Sequence, residues 1–546
     1  MFKQHKAVAA VASAAAIAIL GSGRAVSSVG YASVLTYHND NARTGQNLSE
    51  TILRPDSVSA STFGKTGFFA TDGKVDAQPL FLPGVPIQGQ GTHNVVFAVT
   101  EHDSVYAFDA DSGAVLWHVS TLGAGEVPSD GRNCSQVIPE IGITSTPVID
   151  PSRGPGGVIY VVAMSKSGST YVHRLHAMDV TSGAELFGGP AVIQASVSGT
   201  GAGSSGGTLP FDPKQYEERA GLLLTNGKLI TAWSSHCDID PYTGWIMSYS
   251  PDTLAQTGVL NVTPNGSRGA LWMAGAGPAA DAAGNVYVLD GNGTFDTTMN
   301  ASGFPSNGNF GNAFLRISTT SALAVTDYFA TFDTVAKSNA DTDLGSGGTL
   351  VLPDLVDVNG LTRHLAVGAG KDAHMYVVDR DAMGKWNASS NAIYQDIAGA
   401  IGGAVFSMPA YANGTLYYGG SGARLKAFTI ANARVSTTPS SQSAGSFTYP
   451  GTTPGVSASG SSNAIVWAIE NSSPAVLHAY DALDLSHELY NSNQAAGGRD
   501  AFGAGNKFMT PTIVNGRVYV GTATGIAMFK RFAPDAPTNF ILKRPI

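Results

Sequence analysis

Two polar loops carry the residues whose types are best suited to chemistry. Asp341 and Asp343 are two neighbouring carboxylates in the loop "NADTDLGSGG". In "SSHCDIDPYTGW", His236, Asp238 and Asp240 offer nitrogen and oxygen donors to a metal ion. Carboxylates in polar loops are also commonly solvated, so the surroundings of these loops decide between the two roles.

Several other reaction classes lack their sequence signatures. No Ser-His-Asp elbow, zinc-ligand spacing or phosphate-binding loop is present, and "GAGKD" lacks the remainder of a Walker motif. There is no Cys-x-x-Cys-His, so covalent haem is not expected. Cys134 and Cys237 are too few for a disulfide framework, but they could form one disulfide in an exported chain.

The composition favours a turn-rich, all-β protein. Only 13% of the 546 residues are charged, while 66 are glycine and 27 are proline. Hairpins need residues that tolerate a positive φ, which explains this usage better than a helical fold would. The net charge of −9 and the absence of a Lys/Arg cluster argue against a nucleic-acid partner.

The N-terminus has the pattern of a secretory signal. Lys3 and Lys6 precede an apolar run from Ala7 to Leu20, which is followed by small residues. About fourteen apolar residues are too few to span a bilayer comfortably. We expect residues 1–32 to be a signal peptide that exports the chain to the periplasm or the extracellular space, with no membrane span in the mature chain.

A hairpin unit recurs along the rest of the sequence. The segment "VYAFDADSGAVLW" is echoed by "LHAMDVTSGAELF", by "LHAYDALDLSHELY" and by five weaker copies, which gives eight candidate third strands. Such a unit of about 50–70 residues, repeated around eight times, predicts an eight-bladed β-propeller. Seven blades is the alternative, because the fifth to seventh units are short. Asp109 and Gly113 should form the turn, and Trp117 should pack between blades.

The last unit lacks a fourth strand, and "FGKTGFFATDG" from Phe63 is a spare one. We therefore expect this N-terminal strand to close the ring. The predicted organisation is a signal peptide at 1–32, an arm at 33–62, a propeller at 63–532 and a tail at 533–546. The arm should cross the outside or the bottom of the ring.

Two features of the sequence resemble those of a known protein family. "TYHNDNARTGQNLSETIL" followed by "DSVSASTFGK", and the Ala-x-Asp-x-x-Ser-Gly-x-x-x-Trp spacing, are similar to bacterial quinoproteins that bind pyrroloquinoline quinone (PQQ) in an eight-bladed propeller. The resemblance implies that a vicinal cysteine pair covers one face of the quinone and a tryptophan covers the other. It also implies a calcium ion bound by oxygen ligands, an aspartate that acts as the catalytic base, and a Lys or Arg that contacts the quinone oxygens.

Each role of that family has a counterpart position in this chain. The resemblance implies Cys134 as the cap, Trp272 as the floor, Lys371 at the quinone, Asn292 and Asp238 as calcium ligands, and Asp343 or Asp341 as the base. Two positions depart from the family. Ser135 replaces the second cysteine of the vicinal pair, and Asp238 replaces a glutamate.

Ordinary structural roles compete with these assignments. Trp272 could be core, Asn292 could form a plain turn before a glycine, and Lys371 could be a solvated turn residue. Two functions therefore stay open from the sequence. One is an exported PQQ-dependent dehydrogenase of alcohols or sugars, and the other is a non-catalytic propeller that binds a protein or a polysaccharide.

Overall fold

The computed structural model describes residues 32–532, and nearly all of this chain is β-structure. Most of its strands form eight blades of antiparallel strands that follow one another around a propeller ring, and Gln46–Asn47 joins one blade in parallel. The predicted tail, and all but the last residue of the predicted signal peptide, lie outside the described residues. No helix in the described part of the chain is long and apolar enough to cross a membrane.

Blades 1 to 4 follow each other along the chain, each from its innermost to its outermost strand. Blade 1 contains Leu80–Ile87, Gly91–Val99, Ser104–Asp109 and Val115–Ser120. Blade 2 contains Val148–Asp150, Val158–Ser167, Thr170–Asp179 and Ala191–Val192, with Val127–Pro128 added. Blade 3 contains Leu223–Thr225, Lys228–Ser235, Trp245–Tyr249 and Gln256–Asn261, with Tyr216–Glu217 added. Blade 4 contains Ala279–Ala280, Val286–Leu289, Phe314–Ser318 and Ala324–Phe329.

Blades 5 to 8 complete the ring. Blade 5 contains Thr349–Val351, Leu365–Ala369, Met375–Asp379 and Gln395–Ile397. Blade 6 contains Ala410–Ala412, Thr415–Tyr418, Arg424–Ala431 and Ser441–Ser446, with Arg434–Val435 added. Blade 7 contains Gly455–Ser459, Ser462–Glu470, Val476–Asp481 and Asp484–Asn491, with Gln46–Asn47 added. Blade 8 contains Thr512–Val514, Arg517–Thr522, Gly525–Arg531 and Phe63–Ala70.

Elements outside the blades are short. Two small hairpins pair Ser196–Ser198 with Thr208–Pro210 and Leu355–Val356 with Thr362–Arg363. The α-helix is Thr334–Asn339, and the 3-10 turns are Pro55–Ser57, Met273–Gly275, Ser492–Gln494 and Ala496–Gly498.

The eight-blade prediction and the predicted ring closure are confirmed. All eight candidate third strands are third strands, and Phe63–Ala70 pairs antiparallel with Gly525–Arg531. Asp109 accepts hydrogen bonds from the turn amides of Asp111 and Ser112, and Gly113 has a φ of 77°. The indole of Trp117 reaches the neighbouring blade. The repeat thus encodes both the turn and the contact between blades.

The N-terminal arm runs through the centre of the ring rather than over its outside. Residues 34–47 hydrogen-bond to one residue of the innermost strand of every blade. These partners are Phe81, Ile149, Leu224, Ala280, Val351, Tyr411, Val456 and Ile513. An innermost strand is a sheet edge with unpaired backbone groups, and the arm supplies their partners.

Candidate functional site

Loops from around the ring meet over a cavity of about 290 Å³ at the axis. Its lining includes the sequence-predicted Asp238, Trp272, Asn292, Asp341, Asp343 and Lys371. Cys134 is not part of this lining. The structure therefore brings together six of the seven predicted site residues, although the first and the last are 133 positions apart in the sequence.

The propeller topology explains why two of these residues lie close together. Asn292 follows Val286–Leu289, the second strand of blade 4, and Lys371 follows Leu365–Ala369, the second strand of blade 5. Equivalent positions in adjacent blades point to the same face of the ring. The loop with Asp341 and Asp343 leads into the innermost strand of blade 5, so it lies between them.

Lys371 lies between the two aspartates. Its Nζ is 2.5 Å from Oδ1 of Asp341 and 2.9 Å from Oδ1 of Asp343. The second contact is an ion pair without good hydrogen-bond geometry, since Oδ1 of Asp343 accepts no hydrogen bond from the described residues. The side chain of Asp341 is 60% exposed, whereas that of Asp343 is 1% exposed. The two carboxylates therefore differ in solvation although they share one cation.

Burial and charge act in opposite directions on this group. Burial raises the pKa of Asp343, and the nearby Lys371 offsets only part of that rise. Burial lowers the pKa of Lys371, but the two aspartates outweigh this effect and raise it overall. Asp343 is therefore a stronger base than an exposed aspartate, and Lys371 stays charged at neutral pH.

Asn292 and Asp238 present oxygen atoms to the same cavity. The buried Asn292 donates from Nδ2 to Oδ1 of Asp341 at 3.1 Å, and its own Oδ1 has no donor among the described residues. Asp238 is exposed, and its Oδ1 accepts a hydrogen bond from the Tyr242 hydroxyl at 2.6 Å. Within residues 32–532 no three His, Cys, Asp or Glu side chains are grouped to hold a metal ion. Calcium binding by these two residues stays a prediction.

Trp272 forms one wall of the cavity and is half-buried. Its ring packs edge-on against Tyr242, with the ring centroids 6.4 Å apart. The backbone of Gly291 touches the indole so closely that a Cβ there would lie 2.7 Å from the Trp272 Cδ1 atom. Glycine therefore allows the Asn292 loop to pack directly on the tryptophan.

Cys134 forms a disulfide with Cys237, with 5.6 Å between the Cα atoms. The sequence left this bond open. Cys237 lines the cavity, whereas Cys134 is 4% exposed and is not part of the lining. The bond ties the loop after blade 1 to blade 3, so Cys134 anchors this loop and makes no direct contact with the cavity.

Removing this disulfide should destabilise the protein by about 2–4 kcal/mol, because it closes a long loop in the unfolded chain. The two cysteines are 103 residues apart. Denaturant unfolding of Cys134→Ser, Cys237→Ser and the double variant tests this. All three variants should lose the same free energy of unfolding. A double variant as stable as the wild type would contradict the prediction.

Other lining residues carry no sequence signal. They come from four different connections between blades and share no motif: Arg219, Phe406, Tyr449 and Phe508. Asp290, two residues before Asn292, is completely buried, and its Oδ2 has no hydrogen-bond partner among the described residues. Burial raises the pKa of Asp290 well above the usual value, and the neighbouring charge of Asp343 adds to this rise.

Comparison with known proteins identifies the fold. No protein-family model matches the sequence, and no curated protein matches it. Among solved structures, a quinohemoprotein alcohol dehydrogenase from Pseudomonas putida HK5 superimposes with a TM-score of 0.58 at 13% identity, over 92% of this chain and 82% of that one. The chain shares the β-propeller fold of that structure.

Two further structures share this propeller fold. The quinohemoprotein alcohol dehydrogenase from Comamonas testosteroni has a TM-score of 0.55 at 13% identity, covering 92% of this chain and 82% of that chain. A europium-containing methanol dehydrogenase has a TM-score of 0.55 at 11% identity, covering 91% and 98% respectively. At these identities the likeness concerns the fold, and the chemistry depends on the cavity.

Proposed function

We propose that the chain is a PQQ-dependent dehydrogenase of small hydroxyl compounds. The observation that supports this most strongly is the convergence of six residues, assigned from sequence resemblance alone, on one axial cavity. Bound quinone would supply an acceptor for the two electrons removed from the substrate. The export implied by the N-terminal signal is part of the same proposal.

The residues in the cavity fit such a ligand. The Trp272 indole offers a flat apolar face for a fused ring system, and Lys371 offers a cation for its oxygens. The oxygen atoms of Asn292 and Asp238 that accept no hydrogen bond are ligands of the type that calcium binds. The buried carboxylate of Asp343 would take the proton of a substrate hydroxyl, and the charge of Lys371 opposes the rise in the pKa of that carboxylate.

Replacing Trp272 by alanine should weaken PQQ binding at least about tenfold, because one stacking face is lost. A titration followed by quinone absorbance and protein fluorescence measures this. Trp386 is a matched control, since it is half-buried as well but lies outside the cavity. Equal affinities of the Trp272→Ala and Trp386→Ala variants would contradict the placement of the quinone.

The disulfide favours a second candidate function. Cys134 is bonded to Cys237, so no vicinal cysteine pair caps the cavity. A propeller that has lost quinone binding and holds a protein or polysaccharide partner would share this feature. A wild-type protein that shows no PQQ binding in the titration would favour this second function.

A further inference from the structure

A second chamber of about 340 Å³ adjoins the axial cavity. The two spaces share Gln136, Arg219 and Phe508 in their walls. The cationic side chains facing the second chamber are Lys74, Arg219 and Lys507. Asp76 is the carboxylate in the same wall, so cations outnumber anions there.

Arg219 is buried without a strong partner. It is 7% exposed, and it donates no hydrogen bond to any described residue. Its guanidinium lies 4.8 Å from the centroid of the Phe508 ring and its Nε lies 3.8 Å from Oε1 of Glu217. Burial raises the pKa of Glu217 to about 7, so this carboxyl is only partly charged at neutral pH. The donors of Arg219 therefore face the chamber unpaired.

Lys507 also lacks an anionic partner. Its Nζ donates to Oε1 of Gln136 at 3.1 Å, and no described carboxylate lies within 4.0 Å of it. Burial lowers the pKa of Lys507, and the positive charges of Arg219 and Lys74 lower it further. The positive charges of Lys507, Arg219 and Lys74 repel one another, and an anion bound in the chamber would relieve that repulsion.

Lys74 is only partly neutralised by its neighbours. Its Nζ lies 2.7 Å from Oε1 of the buried Glu101. Burial and the adjacent Asp76 raise the pKa of Glu101 well above the usual value. The carboxyl of Glu101 therefore loses its proton less readily than that of an exposed glutamate, which weakens its charge pairing with Lys74.

We propose that this chamber binds the carboxylate of a small hydroxy acid through Arg219 and Lys507. A guanidinium pairs with a carboxylate through two parallel hydrogen bonds, which is the arrangement that Arg219 leaves open. Because Arg219 also borders the axial cavity, the hydroxyl end of the same ligand points toward Asp343. The oxidation of this substrate rests on the proposed function, whereas the binding step does not need the quinone.

Calorimetric titration of the quinone-free protein tests the binding step, with gluconate as the anionic probe and glucose as its neutral analogue. Gluconate should bind at least about tenfold more tightly than glucose. Arg219→Gln and Lys507→Gln should each weaken gluconate binding about tenfold and leave glucose unchanged. Arg268→Gln is the matched control, because Arg268 pairs with Asp240 outside the chamber.

The outcomes separate this inference from the proposed function. Equal affinity for gluconate and glucose, or binding of inorganic phosphate without binding of gluconate, would overturn the carboxylate chamber even if PQQ binds. Gluconate binding that depends on Arg219 and Lys507 supports the chamber even if PQQ fails to bind. In quinone-loaded protein, dye-coupled oxidation should show a kcat/KM at least about tenfold higher for gluconate than for glucose.

Discussion

Replacing Asp343 by asparagine should lower the kcat of the quinone-loaded protein about 100- to 10,000-fold, because the amide cannot accept the substrate proton. The side chain is buried beside Lys371, whereas the neighbouring carboxylate of Asp341 is turned toward solvent and should replace it poorly. PQQ affinity should change little, since Asn and Asp have the same shape. Steady-state dye-coupled kinetics together with a PQQ titration measure both effects.

Asp341 provides the matched control for this substitution. It lies two residues away and also pairs with Lys371, but it is exposed. Asp341→Asn should retain kcat within about tenfold, because it removes a charge and leaves the base in place. If Asp341→Asn abolished turnover while Asp343→Asn retained it, the two roles would be reversed.

The pH dependence gives an independent reading of the same base. Asp343 must be ionised to accept a proton, and burial raises its pKa. Activity should therefore fall on the acid side at a higher pH than for an exposed aspartate, whose pKa is about 3.9. Lys371→Met removes the cation that opposes this rise in pKa, so activity should begin to fall at a still higher pH. If activity in the Lys371→Met variant fell at a lower pH than in the wild type, this role of Lys371 would be contradicted.

Replacing Arg43 by methionine should lower the free energy of unfolding by about 3–5 kcal/mol. Arg43 is completely buried in the arm and donates to the carbonyls of Tyr37, Leu222 and Pro278 at 2.8–3.1 Å. Burial lowers its pKa to about 10, so it remains charged at neutral pH. Methionine would leave these carbonyls without donors in the centre of the ring.

Denaturant unfolding of Arg43→Met against Arg54→Met measures this loss. Arg54 is exposed, and its one ion pair within residues 32–532 is with Asp56, so its replacement should cost no more than about 0.5 kcal/mol. Similar stabilities of the two variants would show that the arm is not required to hold the blades together.

Much of the fold was predictable because its signals are local. The turn at Asp109 and Gly113 recurs within short segments, and each copy specifies a hairpin without reference to the rest of the chain. The spare strand at Phe63 was assigned to blade 8 by counting strands. The arm could not be placed this way, because residues 34–47 meet partners that are up to 466 positions away.

The site was predictable only in part. The resemblance to quinoproteins predicted roles for Asn292, Lys371 and Asp343, and the structure shows that they line one cavity. Arg219 belongs to no motif, and its proposed role arises from its place in the walls of both spaces, which no local sequence pattern encodes. The shared wall of the two chambers is a product of ring closure, and no local pattern encodes it.

The central claim is that this chain oxidises a hydroxyl substrate through PQQ held in the axial cavity. Dye-coupled alcohol oxidation by purified protein, titrated with PQQ in the presence of calcium, tests it most directly. The account predicts activity that depends on PQQ and saturates at one quinone per chain. Dye reduction that stays at the level of quinone without protein would contradict it.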